Sequence, residues 1–199
     1  MTNNLFSRAF LLIGLIVCCS PVLSAQDDTA AGPRNDVKVT LLSLGSGSSR
    51  FTYERAVTSA TSAELTLGVI GWGFDIMNHA DPSGLLVKAA YKWNILPMRR
   101  AHTALAGFYL KPEFVFASYD YTWSDSEAAP SERPHTTQGA LLAECGYQLV
   151  LRWFVFDIYT GLGPSFGTSN AHNYYHSFML FPADSYLATT AGFRLGVAF

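Results

Sequence analysis

The chain of 199 residues combines 49% apolar and 14% aromatic residues with 14% charged residues and a formal net charge of −2. This low and nearly balanced charge excludes an electrostatic basis for nucleic-acid binding. Two of the three cysteines lie at positions 18 and 19, inside a segment that we expect to be removed. Cys145 would then have no partner for an intramolecular disulfide, and the domain has to be stabilised by a core or by lipid.

The N-terminus has the layout of a secretory signal peptide. Arg8 supplies a positive charge, residues 9–19 form an uninterrupted apolar run, and residues 22–25 offer small side chains for cleavage. The run is shorter than the roughly 20 apolar residues that a membrane-spanning helix needs. The predicted organisation is therefore a signal peptide over 1–25, a flexible periplasmic lead-in over 26–35 and a barrel over 36–199.

Eight segments in this last part are rich in β-branched and aromatic residues and are separated by turn-forming residues. They are 36–45, 49–57, 62–73, 84–96, 104–121, 137–151, 153–164 and 186–199. Apolar residues alternate along them without helical periodicity, and short connections mostly alternate with long ones. This pattern is typical of an eight-stranded antiparallel up-and-down transmembrane β-barrel with both termini in the periplasm.

The two faces of the last strand predict which side meets lipid. Phe193, Leu195, Val197 and Phe199 share a large apolar face, whereas Arg194 interrupts a face of small residues. A soluble barrel would turn the apolar face inward, but the small-residue face suits the cramped interior of eight strands. A Lys or Arg facing lipid at the midplane costs about 2–4 kcal/mol, so we expect the charged positions to face the lumen.

Applied to every strand, this alternation predicts a balanced charge network in the lumen. Its members are Lys38, Glu54, Glu64, Lys88, Lys92, Lys111, Glu113, Glu144, Asp157 and Arg194. Unpaired buried charges are very costly, so these groups should pair and fill the lumen, which argues against a pore. Pro112 lacks the N–H that a strand ladder needs and predicts a bulge in the fifth strand.

The pattern resembles the small outer-membrane barrels of the OmpA/OmpX type, and the segment 192–199, which ends in Phe199, carries the resemblance most specifically. A terminal Phe on an alternating strand is similar to the signal read by the barrel-assembly machinery, here Phe193, Leu195, Val197 and Phe199. The stretches 53–56, 62–68 and 107–114 are also similar to an uncharacterised Bacteroidota family of outer-membrane barrels. The resemblance implies a location in the Gram-negative outer membrane, with its lipids as partners, and no established activity.

The sequence favours a non-enzymatic protein with no cofactor and no catalytic residues. Some eight-stranded barrels modify lipid A through a Ser–His site, and a lipid A or phospholipid-modifying enzyme is the alternative. His176, Ser177 and Asp184 could form a triad in one loop, but the His-x-Ser strand motif of the deacylases is absent. The other histidines are assigned to loops and turns.

The loop over 170–181 is unusually rich in aromatic residues. His172, Tyr174, Tyr175, His176 and Phe178 could contact an unknown protein or glycan, or the loop could simply fold over the barrel mouth. Two histidines at i and i+4 without a third ligand do not make a zinc site, so no metal is predicted. We expect a structural or partner-binding role through the outer loops.

Overall fold

The computed structural model describes residues 32–74, 81–97, 103–122, 135–167 and 187–199. These residues form a closed barrel in which eight antiparallel strands pair in chain order and β8 pairs with β1. The elements are β1 (Asn35–Thr40), α1 (Leu42–Gly45), β2 (Ser48–Ala56), β3 (Thr61–Ile70), β4 (Ser83–Pro97), β5 (Gly107–Asp120), β6 (His135–Leu151), β7 (Phe154–Gly167) and β8 (Leu187–Ala198). The predicted eight-stranded up-and-down barrel is confirmed. Among the described residues, no helix is both long enough and apolar enough to cross a membrane.

The first predicted strand is too long, because the chain leaves the sheet after Thr40 and forms the short helix α1. The hydroxyl of Ser43 donates a 2.8 Å hydrogen bond to the carbonyl of Thr40, a local bond that competes with a strand ladder. The carbonyl of Gly47 then accepts a 2.8 Å bond from the N–H of Gly71. The first connection is therefore folded onto the end of β3.

The barrel also takes up the end of the predicted flexible lead-in. Asn35 exchanges two backbone hydrogen bonds with Phe199, of 3.0 and 2.8 Å, and the hydroxyl of Thr103 donates to the carbonyl of Pro33 at 2.6 Å. Residues 33–35 are consequently held against the barrel wall. The rest of the lead-in before residue 32, and the signal-peptide prediction, lie outside the described residues.

The predicted bulge at Pro112 is wrong. Pro112 pairs with Ala143 of β6 in an unbroken register, and the register to β4 is the same on either side of it, although the ladder has no pair there. Because Pro112 has no N–H, the strand ladder to β4 is interrupted there. The interruption does not require the extra residue that defines a bulge. The register shift between these strands lies instead between Asn94 and Leu96.

Burial alternates along the strands and separates two walls of the barrel. The outward wall exposes large apolar side chains such as Leu85, Phe114 and Leu141, whereas most charged side chains of the strands are buried inside. Two apolar clusters also fill the interior, one at each end of the barrel. Asn35 and Phe199 are the termini of the barrel and lie side by side at one end. At the end away from these termini the cluster is Ile70, Leu86, Val115, Ala117, Tyr119, Tyr121, Ala140, Leu142 and Ala188. At the end that holds the termini it is Ala56, Leu105, Ala106, Val150, Val155 and Ala198.

Candidate functional site

The interior between the two apolar clusters holds every charged residue that the sequence assigned to the lumen. All of them are buried, with exposures of 0–5%. Sequence reasoning missed two further members, because Asp36 and Arg50 are also buried there, at 0% and 1% exposure. The described interior therefore contains six cationic side chains, Lys38, Arg50, Lys88, Lys92, Lys111 and Arg194, and six carboxylates, Asp36, Glu54, Glu64, Glu113, Glu144 and Asp157.

Glu64 is the centre of this network. One carboxylate oxygen lies 2.9 Å from the Nζ of Lys38 and 3.8 Å from that of Lys92. The other lies 2.6 Å from the Nζ of Lys111 and 3.2 Å from a guanidinium nitrogen of Arg194. A single carboxylate thus lies within 4 Å of four cationic groups, which come from strands β1, β4, β5 and β8.

Glu54 on β2 and Gln148 on β6 contribute further contacts to the network. Glu54 forms ion pairs with both Lys38 and Lys92 and accepts a hydrogen bond from the hydroxyl of Ser62. The side-chain oxygen of Gln148 accepts bonds of 2.9 Å from the same two lysines. Gln148 also donates a 2.7 Å bond to Asp36. The ammonium groups of the two lysines are therefore bound both by carboxylates and by the neutral amide of Gln148. Such partners are needed because unpaired donors are costly in an interior of low dielectric constant.

A second set of contacts surrounds Arg194. Its guanidinium lies 2.7 Å from Asp157 and donates a 3.3 Å bond to the hydroxyl of Tyr109. That hydroxyl in turn donates to Asp157 at 2.8 Å. The ring of Tyr159 lies 4.6 Å from the guanidinium carbon, a cation–π distance. Arg194 is buried, and its two terminal guanidinium nitrogens contact Glu64, Asp157 and Tyr109.

The network leaves little room in the lumen. The gap bounded by Arg50, Thr66, Lys88 and Glu113 is too small to admit a water molecule. Packed apolar clusters of inward-facing residues lie toward both ends. Along the described residues, the interior has the properties of a sealed ionic core and not of a water-filled channel.

The outward wall carries a cluster of three polar side chains that is separate from the network in the interior. At the end of the barrel away from the termini, the hydroxyl of Ser118 lies 3.2 Å from the Nε2 of His135. The Nδ1 of the same imidazole lies 2.7 Å from a carboxylate oxygen of Asp120. The side chains of His135 and Asp120 are 62% and 47% exposed. A hydroxyl, an imidazole and a carboxylate are therefore aligned on the surface.

Strand register explains this alignment. Ser118 and Asp120 lie two residues apart on β5, so their side chains share the outward face. Asp120 pairs directly with His135, the first residue of β6. The imidazole therefore meets its direct cross-strand neighbour and the diagonal one, both of which are within reach in a sheet.

Sequence reasoning missed this trio because it assigned His135 to a loop and searched for a triad only within the loop of His176. The signal that could have found it is the Ser-x-Asp pair near the end of one strand followed by a His at the start of the next. That signal becomes specific only once the register of β5 and β6 is known.

The other predicted residues divide between described and undescribed parts of the chain. Phe193, Leu195 and Val197 lie on the outward face of β8, and Phe199 follows that strand. The predicted loop contacts His172, Tyr174, Tyr175, His176 and Phe178, together with Ser177 and Asp184, lie outside the described residues. No group of three His, Cys, Asp or Glu side chains that could hold a metal occurs within the described ranges.

Comparisons with known proteins show similarity to a solved barrel structure and to no family model. No family model matches the sequence and no curated protein matches it. The chain is similar to the crystal structure of the N-terminal β-barrel domain of OprF from Pseudomonas aeruginosa, with 12% identity and a TM-score of 0.47. This alignment covers 84% of the present chain and 98% of the other. The resemblance to a Bacteroidota family stays a prediction.

Proposed function

We propose that the protein is a non-conducting barrel of the Gram-negative outer membrane, with both termini in the periplasm, that acts as a rigid scaffold for its outer loops. The observation that carries the proposal is the contrast between the walls. Exposed Leu85, Phe114 and Leu141 suit lipid, while the described interior holds six buried cations and six buried carboxylates. A soluble barrel has no reason to reverse the usual distribution of polar and apolar side chains.

The scaffold has a structural or partner-binding role, and no reaction takes place in its lumen. A closed interior cannot pass solutes or admit a substrate, so any contact with a partner falls to the loops and the outward wall. The aromatic loop over 170–181 is the segment that we propose for contact with a protein or glycan. In the same proposal, the outward face of β8 with Phe199 is read by the barrel-assembly machinery.

Reconstitution into planar lipid bilayers tests the closed scaffold. We expect no steady conductance from the purified protein, because the ionic core and its apolar ends fill the lumen. A steady ohmic conductance would contradict the proposal. Cysteine labelling of β8 in a Cys145→Ser background, which removes the native free thiol, tests the walls: Leu195→Cys should react with a lipid-soluble maleimide, and the neighbouring Arg194→Cys should not.

The role of the loop needs a separate experiment in cells. A photo-crosslinking residue at Tyr175 should join the protein to a surface partner, whereas the same residue at Leu141, on the outward wall, should report only lipid. Equal cross-linking to protein from both positions would argue against a contact specific to the loop.

A further inference from the structure

We propose that Ser118, His135 and Asp120 form a Ser–His–Asp site on the outward wall that hydrolyses acyl esters of membrane lipids. The carboxylate of Asp120 can only accept, so Nδ1 of His135 carries the proton in the 2.7 Å bond between them. Nε2 of the neutral imidazole is then an acceptor, and it faces the hydroxyl of Ser118 at 3.2 Å. These are the contacts that activate a serine nucleophile.

The height of the site on the barrel favours a lipid ester. Trp93 and Tyr91 form an exposed aromatic pair toward the other end, and Trp93 pairs with Leu110 of β5. From Leu110 to Ser118 the strand advances by about 20 Å along the barrel axis, given the usual rise and tilt of barrel strands. The apolar band of such barrels is about 25 Å tall. Ser118 thus lies near the opposite boundary of the band, where lipid ester groups meet the headgroups.

The surroundings of Ser118 suit an acyl chain. Leu85 is its neighbour on β4 and is 63% exposed, and Phe116 precedes it on the same outward face. Beside Phe116, the ring of Phe166 lies across Gly139, where a Cβ atom would come within 2.3 Å of the ring. These side chains form an exposed apolar shelf below the hydroxyl. A chain lying on the shelf brings its ester carbonyl to Ser118 from the side of the lipid.

The reaction balances with water as the only co-reactant. The hydroxyl oxygen of Ser118 attacks the ester carbonyl and its proton passes to Nε2 of His135. The bond between the carbonyl carbon and the lipid alcohol breaks, and the alcohol leaves with that proton. Water then attacks the acyl-serine, gives a proton to His135 and releases the fatty acid, while the proton returns to Ser118. Asp120 orients the imidazole and stabilises its charged form.

The source of the ester is either a glycerophospholipid or lipid A, and the experiment separates them. Full-length folded protein is mixed with vesicles of phosphatidylethanolamine and phosphatidylglycerol, or with vesicles that contain lipid A, and released fatty acid is measured by mass spectrometry. An alkyl fluorophosphonate is used in parallel to label the nucleophile, and the modified residue is identified by peptide mapping. Release from one vesicle type alone assigns that lipid as the source.

We expect Ser118→Ala to abolish the label and to lower fatty-acid release by about 10³-fold or more. His135→Asn should lower release by about 10²-fold or more, because the general base is lost. Ser83→Ala is the matched control: this exposed serine also lies at the end of the barrel, opposite Asp120 on β4, and its variant should label and react like the wild type. A folded-barrel mobility shift on gel electrophoresis verifies each variant.

Three results would overturn the site: no fatty acid from either vesicle, release that survives Ser118→Ala, or a label on a residue other than Ser118. The inference goes beyond the scaffold role. If the hydrolytic site failed these tests, the conductance and cysteine-labelling tests of the closed barrel would still stand. Conversely, a conducting pore would contradict the closed barrel but would not change the result of labelling at Ser118.

Discussion

The inner and outer walls of the barrel both hold acids against bases, but the surroundings of these groups differ. Inside, Glu64 contacts four cations and its side chain is 1% exposed. Outside, Asp120 contacts one imidazole and its side chain is 47% exposed. Buried groups must be paired to exist there at all, whereas an exposed trio gains little stability from its alignment. The ion pairs of the inner wall are therefore explained by the stability of the fold. The alignment of Ser118, His135 and Asp120 on the outer wall requires another explanation.

Among substitutions that compare the two walls, we expect Glu64→Gln to lower the free energy of unfolding most. The substitution keeps the shape of the side chain and leaves Lys38, Lys111 and Arg194 with less compensation. We expect a loss of about 3–5 kcal/mol in the free energy of unfolding, measured in denaturant by tryptophan fluorescence of the folded barrel. A loss below 1 kcal/mol would contradict the role of Glu64 as the centre of the network.

A charge on the outward wall is expected to cost slightly less. Phe114 lies midway along β5 and is 43% exposed. Phe114→Arg should destabilise the protein in lipid vesicles by about 2–4 kcal/mol, and Phe114→Leu serves as the control. If Arg were tolerated as well as Leu, the outward wall would not face lipid.

Glu144→Gln is a control for Glu64→Gln, because it makes the same chemical change at another buried glutamate of the network. Glu144 is also buried, but within the described ranges its one ion pair is with Lys111 at 3.1 Å, and its oxygens accept no well-directed hydrogen bond there. Lys111 keeps its contacts with Glu64 and Glu113. We expect a change of about 1 kcal/mol or less, measured by the same denaturant titration. Equal losses at Glu64 and Glu144 would mean that the network has no centre.

The smallest effect on stability is expected from His135→Asn on the outer wall. An exposed ion pair contributes about 0–1 kcal/mol, so the unfolding midpoint should hardly move, while fatty-acid release falls. A variant that lost several kcal/mol would show that the trio serves the fold and that reduced release reports unfolding.

Alternation along the chain was enough to predict the closed barrel and its buried charges, because a side-chain period of two assigns every second residue to the same face. The same rule failed where local hydrogen bonds replace the ladder, as after Thr40. It also did not assign Asp36 or Arg50 to the interior, although both share a face with residues that were assigned there. The Ser118 trio could not be predicted, since it depends on the register between two strands and on the exact start of β6.

The ionic core also affects the seam between β1 and β8, where the barrel closes. The ladder between β1 and β8 has five pairs, from Asp36–Ala198 to Thr40–Arg194. It is as short as the ladder between β1 and β2 and shorter than the other six. Yet Lys38 on β1 and Arg194 on β8 both contact Glu64 on β3. The ladder that closes the barrel is therefore held from within, because a side chain from each of its two strands contacts the same carboxylate on β3. Parting β1 from β8 would expose these cations to lipid, so the barrel should resist sideways opening and shed its first strand only as it unfolds as a whole.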